Sequence, residues 1–348
     1  MGIVDKFKKF YNIYIFQNSA ILSLSSLGEQ NMIYPNKIPH GLVFHHFHDS
    51  RHYKGQGSIS GKDFDNILRF VGLDRILDPQ EWVRRLNKGQ LADGDLCISL
   101  DDGLLCQFDI ALPVLEKYNI KAFWFIYSSV FEGHFGSKFE IYRVFRSKFF
   151  KNIDDFYQMF FEKVFKSEFK DKARDVLGDA DLKEFSRIYP FYTPNDIQFR
   201  FIRDRALNPR EFEVIVDAMI GDKGVSPDEL SKDLWMTNDN LAYLSRHGHN
   251  IGLHSYSHPM VFANLSLEEQ SKEYNKNYEH IKRVTAQSPI AMAHPVNSYN
   301  KDTIKILSQL GIICGFRSNM SPNRVGEQIN PSRYEIARED HSSIIRII

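Results

Sequence analysis

The sequence has few cysteines, no excess of either charge and no long apolar run, and each absence narrows the classes of protein that it can encode. Its 348 residues include three cysteines and no CxxC pair, so we expect no disulfide framework and a reducing, cytoplasmic location. Lys plus Arg and Asp plus Glu both number 44, so the chain has no overall positive charge that would attract nucleic acid. The length suffices for one large α/β domain or two ordinary domains.

The N-terminal stretch mixes lysines with aromatic side chains, and it matches neither an export signal nor a membrane span. Its uninterrupted apolar run, Ile13 to Phe16, is too short to cross a bilayer, and no small-residue cleavage site follows it cleanly. Phe7, Phe10 and Tyr14 leave peripheral contact with a membrane open. We predict that residues 1–40 are a lead-in to the folded domain.

A strand, a helix and a second strand are predicted around residues 96–126. The apolar run that begins at Leu96 ends in Asp101, Asp102 and Gly103, which is typical of a buried parallel strand that delivers carboxylates to the edge of a sheet. A helical pattern at 107–118 and an apolar strand at 121–126 complete a βαβ unit. The two aspartates are therefore candidate functional residues, and a solvated Asp-Asp-Gly turn is the alternative.

Histidines cluster near the predicted ends of two further strands. The first strand, at 41–48, contains His45, His46 and His48. Alternation along a strand places His46 and His48 on one face, although histidines that only bond to loops are equally compatible with the pattern. His254 and His258 follow a strand at 249–253, where the chain turns into a loop and the pair can converge on a metal.

Residues 131–234 differ from the rest of the chain because they are dense in aromatic side chains. These are spaced mostly three to four apart, as in amphipathic helices that pack through their rings. We predict a helical insertion covering the active face, between domain halves at 41–130 and 235–348. Its arginines form either a solvated face or a phosphate clamp. They are Arg143, Arg146, Arg200, Arg203 and Arg205.

Three segments form an ordered set of motifs. Residues 99–103, Ser-Leu-Asp-Asp-Gly, are similar to the pattern (T/S)FDDG; residues 254–259, His-Ser-Tyr-Ser-His-Pro, match HSxSHP in full; and residues 293–300 match RxPxGxxN in part. In this order the motifs resemble those of the polysaccharide deacetylases, the NodB-homology or carbohydrate esterase family 4 enzymes. The resemblance covers roughly 41–130 and 235–320. It implies a distorted (β/α) barrel with its site at the carboxyl ends of the strands.

The resemblance also implies roles for the acidic and histidine side chains. Asp102, His254 and His258 are the expected ligands of a divalent metal, with zinc preferred, and Asp101 is the expected catalytic base. One carboxylate and two imidazoles leave positions on such an ion for water and a substrate carbonyl. The arginine that orients the base in the family is replaced by Ala293, so another group must hold Asp101.

The general acid is the weakest point of the match, because the family's late Leu-x-His motif is not evident. We predict that His294 supplies the acid, with His46 as the alternative. His46, His48 and Arg333 are predicted to bind substrate, and a structural salt bridge is an equally good explanation for Arg333.

Together these observations predict a metal-dependent hydrolase that removes an acetyl or formyl group from an amino sugar. The sugar is expected to be nucleotide- or lipid-linked, in surface polysaccharide biosynthesis. The alternatives are a non-catalytic carbohydrate-binding protein that retains the metal site, and an amidohydrolase acting on a non-sugar amide. The sequence predicts no nucleic-acid partner, and it leaves the oligomeric state open.

Overall fold

The computed structural model describes residues 34–178, 193–322 and 328–348. The chain divides into two compact units, Met1–Ser137 with Trp235–Ile348, and Lys138–Leu234. Most of the predicted lead-in, including the aromatic residues proposed to touch a membrane, lies outside the described residues. Across the described ranges, no helix combines the length and the apolar character that a bilayer span requires.

The first unit is built on seven short strands. They are β1 (His40–Phe44), β2 (Leu96–Asp101), β3 (Phe123–Ile126), β4 (Asn250–Leu253), β5 (Ala291–Ala293), β6 (Cys314–Phe316) and β7 (Arg338–Asp340). The sheet has the order β6-β5-β4-β3-β2-β1-β7, and every pair is parallel. The backbone N–H of Gly315 donates to the carbonyl of Arg333, and that of Ile336 to Gly315, both at 2.9 Å. The segment before β7 thus bonds to β6 and nearly closes the barrel, which confirms the predicted fold class.

Helices lie between most of these strands along the chain. In chain order they are α1 (Gly61–Val71), α2 (Pro79–Lys88), α3 (Leu112–Lys117), α4 (Phe139–Phe149), α5 (Ile153–Lys166), α6 (Lys170–Gly178), α7 (Pro194–Phe201), α8 (Pro209–Asp222), α9 (Pro227–Ser231), α10 (Asn238–Arg246), α11 (Leu267–Thr285), α12 (Lys301–Gln309) and α13 (His341–Ile345). Capping boxes start several of them, including the one that Ser266 and Glu269 form before α11. Such boxes satisfy amide groups that the first turn of a helix leaves free.

Side chains alternate between two apolar layers of the barrel. Ile98 and Leu100 of β2 pack in the layer between the strands and the helices. Cys97 belongs to a second cluster with Phe125 and with Trp82 of α2. Each apolar side chain that is fully buried in this way contributes about 1.5–3 kcal/mol. Because the alternation continues along β2, Asp101 shares the face of Cys97 and lies inside the barrel.

The described residues of the second unit contain the helices α4 to α9. Its aromatic residues pack against one another, with ring centroids 4.8 Å apart for Phe160 and Phe199 and 5.7 Å apart for Phe156 and Phe199. This packing confirms that their spacing is helical. Among the arginines, Arg203 forms an ion pair with Asp204 at 2.6 Å. That this unit is an insertion covering the active face stays a prediction.

Candidate active site

The Asp-Asp-Gly turn separates two adjacent carboxylates. Asp101 is the last residue of β2, and Asp102 and Gly103 follow with φ angles of 78° and 65°. The amide of Asp102 donates to the carbonyl of Phe125 at 2.9 Å, which fixes the turn to the end of β3. Asp is one of the few residues that enter this left-handed region readily. As a result, Asp101 lies beside Arg338, and Asp102 lies beside two histidines.

Asp102, His254 and His258 converge as predicted. The Oδ1 atom of Asp102 is 3.5 Å from the Nε2 atom of each histidine, and one ligand atom from each residue lies within 4.8 Å of the others. The Nδ1 atom of His254 is 2.9 Å from the carbonyl oxygen of Ala293. A carbonyl only accepts, so Nδ1 carries a proton, and Nε2 is the nitrogen that remains to bind a metal in place of a proton. This donor set fits a zinc-like ion.

The electrostatics of the cluster are those of a cation site. Burial raises the pKa of Asp102, but hydrogen bonding with His254 and the nearby His258 lower that pKa by more, to below its usual range. Burial lowers the pKa of His254, and the charges of Asp101 and Asp102 raise it above its usual value. The cluster therefore attracts positive charge, and a metal must compete there with a proton.

Arg338 holds Asp101 through two parallel hydrogen bonds. Its Nη1 and Nη2 atoms donate to Oδ1 and Oδ2 of Asp101 at 2.7 and 2.6 Å, and the two side chains are 0% and 3% exposed. Burial raises the pKa of Asp101, but Arg338, with smaller effects of His254 and His45, brings it below its usual range. Asp101 is consequently ionised and fixed in orientation, as a base must be.

Arg338 is a functional candidate that the sequence did not predict. It lies in β7, and its Nε atom donates to the carbonyl of Arg317 at 2.6 Å, while Nη1 also donates to Ser99 at 3.0 Å. The replacement of the motif arginine by Ala293 had indicated that another group must hold Asp101. Nothing in the spacing of residues along the sequence indicated that an arginine near the C-terminus would hold Asp101.

Gly41 makes room for this arginine. A Cβ atom at position 41 would lie 2.9 Å from Cγ of Arg338, closer than carbon atoms approach without displacement. The two residues face each other in the register of β1 and β7. The absence of a side chain at position 41 therefore allows the guanidinium to reach Asp101 through the barrel.

The first strand is shorter than predicted, and this changes which histidine approaches the site. β1 ends at Phe44, so the expected alternation of His46 and His48 on one strand face is wrong. The Nε2 atom of His45 is 3.8 Å from Oδ2 of Asp101. His46 stacks beside His45 with ring centroids 5.9 Å apart, and Nδ1 of His48 is 3.1 Å from the hydroxyl of Ser58.

His294 lies in surroundings that disfavour its predicted role as the acid. It is 1% exposed, and its Nε2 atom donates to the carbonyl of Tyr334 at 2.8 Å. Its ring stacks on Tyr299 at 4.0 Å. Burial lowers its pKa to about 3, so the ring is neutral and its single N–H is already directed at backbone.

Arg333 makes an exposed contact with α2. Its Nη2 atom donates to the side chain of Asn87 at 2.8 Å, so the described structure gives it a structural partner. Its predicted role in substrate binding stays a prediction.

Barrel and site together define a class: an α/β protein with seven parallel strands and a candidate centre of one aspartate and two histidines at their carboxyl ends. Residues 219–314 match the family model described as polysaccharide deacetylase. The predicted resemblance to the polysaccharide deacetylases is therefore confirmed. A comparison with curated proteins finds no match.

Two of the solved structures that are similar to this chain carry deacetylase names. The deacetylase PplD of Streptococcus pyogenes, in complex with acetate, is 16% identical with a TM-score of 0.50, covering 90% of this chain and 98% of its own. IcaB from Ammonifex degensii is 13% identical, with a TM-score of 0.49 and coverage of 87% and 91%. A de-N-acetylase from Aggregatibacter actinomycetemcomitans is 14% identical, with a TM-score of 0.49 and coverage of 89% and 99%. At these identities the likeness concerns the fold alone.

Proposed function

We propose that this protein is a metal-dependent hydrolase that removes an N-acyl group, acetyl or formyl, from an amino sugar. The family model supports activity as a polysaccharide deacetylase. The observation that carries the proposal is the placement of Asp102, His254 and His258 within 4.8 Å of one another beside an aspartate that Arg338 holds. A binding protein has no need for a base fixed and ionised next to a metal site.

Each of these side chains has a distinct task. Asp102, His254 and His258 would hold the divalent ion, zinc by their donor set. When bound, such an ion polarises a carbonyl and lowers the pKa of water. Asp101, which Arg338 keeps ionised, accepts the proton of the attacking water and stays oriented through its two hydrogen bonds.

We assign protonation of the leaving amine to His45 in place of His294. The side chain of His45 is 29% exposed, and its Nε2 atom is 3.8 Å from Asp101. Burial, with a smaller effect of His46, brings its pKa below the usual value, and the charges of Asp101, Asp102 and Asp340 oppose that shift. A partly exposed imidazole among carboxylates can take up and release a proton, which the enclosed and neutral His294 cannot do.

The substrate is proposed to be a nucleotide- or lipid-linked sugar in surface polysaccharide biosynthesis, acted on in the cytoplasm. Three free cysteines, two of them buried, suit a reducing compartment. Deacetylation and deformylation use the same arrangement of base and acid, so the acyl group is decided by the space around the carbonyl. The presence of His45 beside Asp101, and of Arg338 holding Asp101, favours an enzyme over a binding protein that has lost catalysis.

The test compares Asp101→Asn with Asp102→Asn. Turnover of a panel of N-acetyl and N-formyl nucleotide sugars is followed by mass spectrometry, and metal content is measured in parallel. We expect Asp101→Asn to lose turnover and keep its metal, and Asp102→Asn to lose both. Asp93→Asn, an exposed aspartate before β2, is the matched control. Full turnover by Asp101→Asn would refute the proposal.

A further inference from the structure

We infer that Glu273 is a positioning residue that fixes the loop between the two histidine ligands, so that metal affinity depends on it. This inference rests on the proposed function, because it concerns the same metal site. Glu273 lies on α11, and it belongs to none of the three motifs. It contacts the loop between His254 and His258, and the argument starts from those contacts.

Glu273 accepts three hydrogen bonds from two neighbouring loop residues. Its Oε2 atom accepts the backbone N–H groups of Tyr256 and Ser257 at 3.0 and 2.8 Å, and Oε1 accepts the hydroxyl of Ser257 at 2.8 Å. Hydrogen bonds to an ionised acceptor are about twice as strong as neutral ones. The side chain therefore holds the middle of the loop at three points.

The loop has a backbone that needs such support. Ser255 and His258 have φ angles of 67° and 53°, in the left-handed region that non-glycine residues rarely occupy. Conformations of this kind cost on the order of 1–3 kcal/mol each and persist only where their surroundings enforce them. The backbone N–H groups of Ser129 and Ser137 also donate to the carbonyls of Tyr256 and Ser257, at 2.8 and 3.0 Å.

The same face of α11 also positions the first histidine. Asn277, four residues after Glu273, accepts the backbone N–H of His254 at 3.0 Å and donates to the carbonyl of Ile126 at 3.0 Å. Residues four apart lie on one face of a helix. Glu273 and Asn277 thus bind two successive parts of the metal-binding loop. Without Glu273, the backbone of His254 still bonds to Asn277. The hydrogen bonds from Glu273 to Tyr256 and Ser257, which lead to His258, are lost.

The experiment measures metal binding directly, without substrate. Zinc affinity of Glu273→Gln is determined by competition with a chelator, and the visible absorption of the cobalt-loaded protein reports ligand geometry. We expect zinc binding to weaken about 10- to 100-fold, the usual effect of removing an outer-shell partner of a metal site, with an altered cobalt spectrum. Glu279→Gln changes an exposed glutamate of the same helix and is the matched control.

A milder variant keeps the test decisive if Glu273→Gln folds poorly. Ser257→Ala removes only the hydroxyl bond to Oε1, and we expect zinc binding to weaken about 2- to 10-fold. If the unmodified protein binds no zinc, or if Asp102→Asn binds it equally well, the proposed function fails. If zinc binding requires Asp102 but Glu273→Gln matches the unmodified protein in affinity and cobalt spectrum, the inference about Glu273 alone is overturned.

Discussion

Replacement of Arg338 by methionine removes the cation that holds Asp101 and leaves a carboxylate inside the barrel. The two groups share hydrogen bonds of 2.7 and 2.6 Å, and their side chains are 0% and 3% exposed. Breaking a buried pair of this kind costs about 3–5 kcal/mol, because the remaining charge is uncompensated. We therefore expect Arg338→Met to lower the free energy of unfolding by that amount at pH 7.

The loss of stability in Arg338→Met should become smaller at low pH. With Arg338 present, the pKa of Asp101 lies below its usual range, and the pair stabilises the fold above the unfolded pKa of about 3.9. Burial is the largest influence on Asp101, so we expect its pKa to rise above the unfolded value once Arg338 is removed. The deficit of Arg338→Met then shrinks as the pH falls through this raised pKa, because a protonated carboxyl needs no cation.

Urea unfolding at several pH values and a double-mutant cycle with Asp101→Asn check this reasoning. We expect the double variant to regain most of the lost stability, and the acidic limb of kcat/KM for Arg338→Met to move to higher pH. A coupling energy below about 0.5 kcal/mol, the level of an exposed ion pair, would refute the buried pair as the source of both effects. An acidic limb of kcat/KM that stays at the same pH in Arg338→Met would refute it as well.

Three further predictions concern other residues. His45→Asn should lower kcat about 10²- to 10⁴-fold for an N-acyl sugar. The loss should be far smaller for 4-nitrophenyl acetate, because its leaving group needs no proton. Equal losses of kcat for the two substrates in steady-state kinetics would contradict the role of His45 as the acid. Gly41→Ala, which places Cβ 2.9 Å from Cγ of Arg338, should cost about 1–3 kcal/mol in urea unfolding. Gly221→Ala, whose added Cβ meets no atom of the described residues within 4 Å, should not. Burial lowers the pKa of His249 to about 3, so the unfolded chain takes up a proton below about pH 6.5 and stability falls as the pH drops toward 3. His249→Asn should flatten that slope by about 1.4 kcal/mol per pH unit, and an unchanged slope would exclude His249 as its source.

The parts of the site that the sequence predicted are those that local patterns define. Asp101 and Asp102 follow an apolar run that had to be a buried strand, and His254 and His258 are four residues apart in one motif. Both pairs depend on a few neighbouring residues and on the rule that parallel strands present their carboxyl ends together. The barrel was predicted through the resemblance to the polysaccharide deacetylases, which the same short motifs indicate.

The parts that were missed depend on pairing between distant segments. Arg338 lies 237 residues after Asp101, and β7 is the charged triplet Arg-Glu-Asp, which has no strand-like composition. It is a strand because it pairs with β1. Likewise, the histidine that approaches Asp101 depends on where β1 ends, and a shift of one residue changes the face on which each side chain lies.

The position of Arg338 in the seventh strand has a consequence for synthesis on the ribosome. All three candidate metal ligands and six of the seven strands precede it in the chain. A nascent chain that has emerged as far as β6 contains every candidate metal ligand but not the arginine that balances the charge of Asp101. The buried ion pair that keeps Asp101 ionised therefore forms only after the seventh strand has been translated.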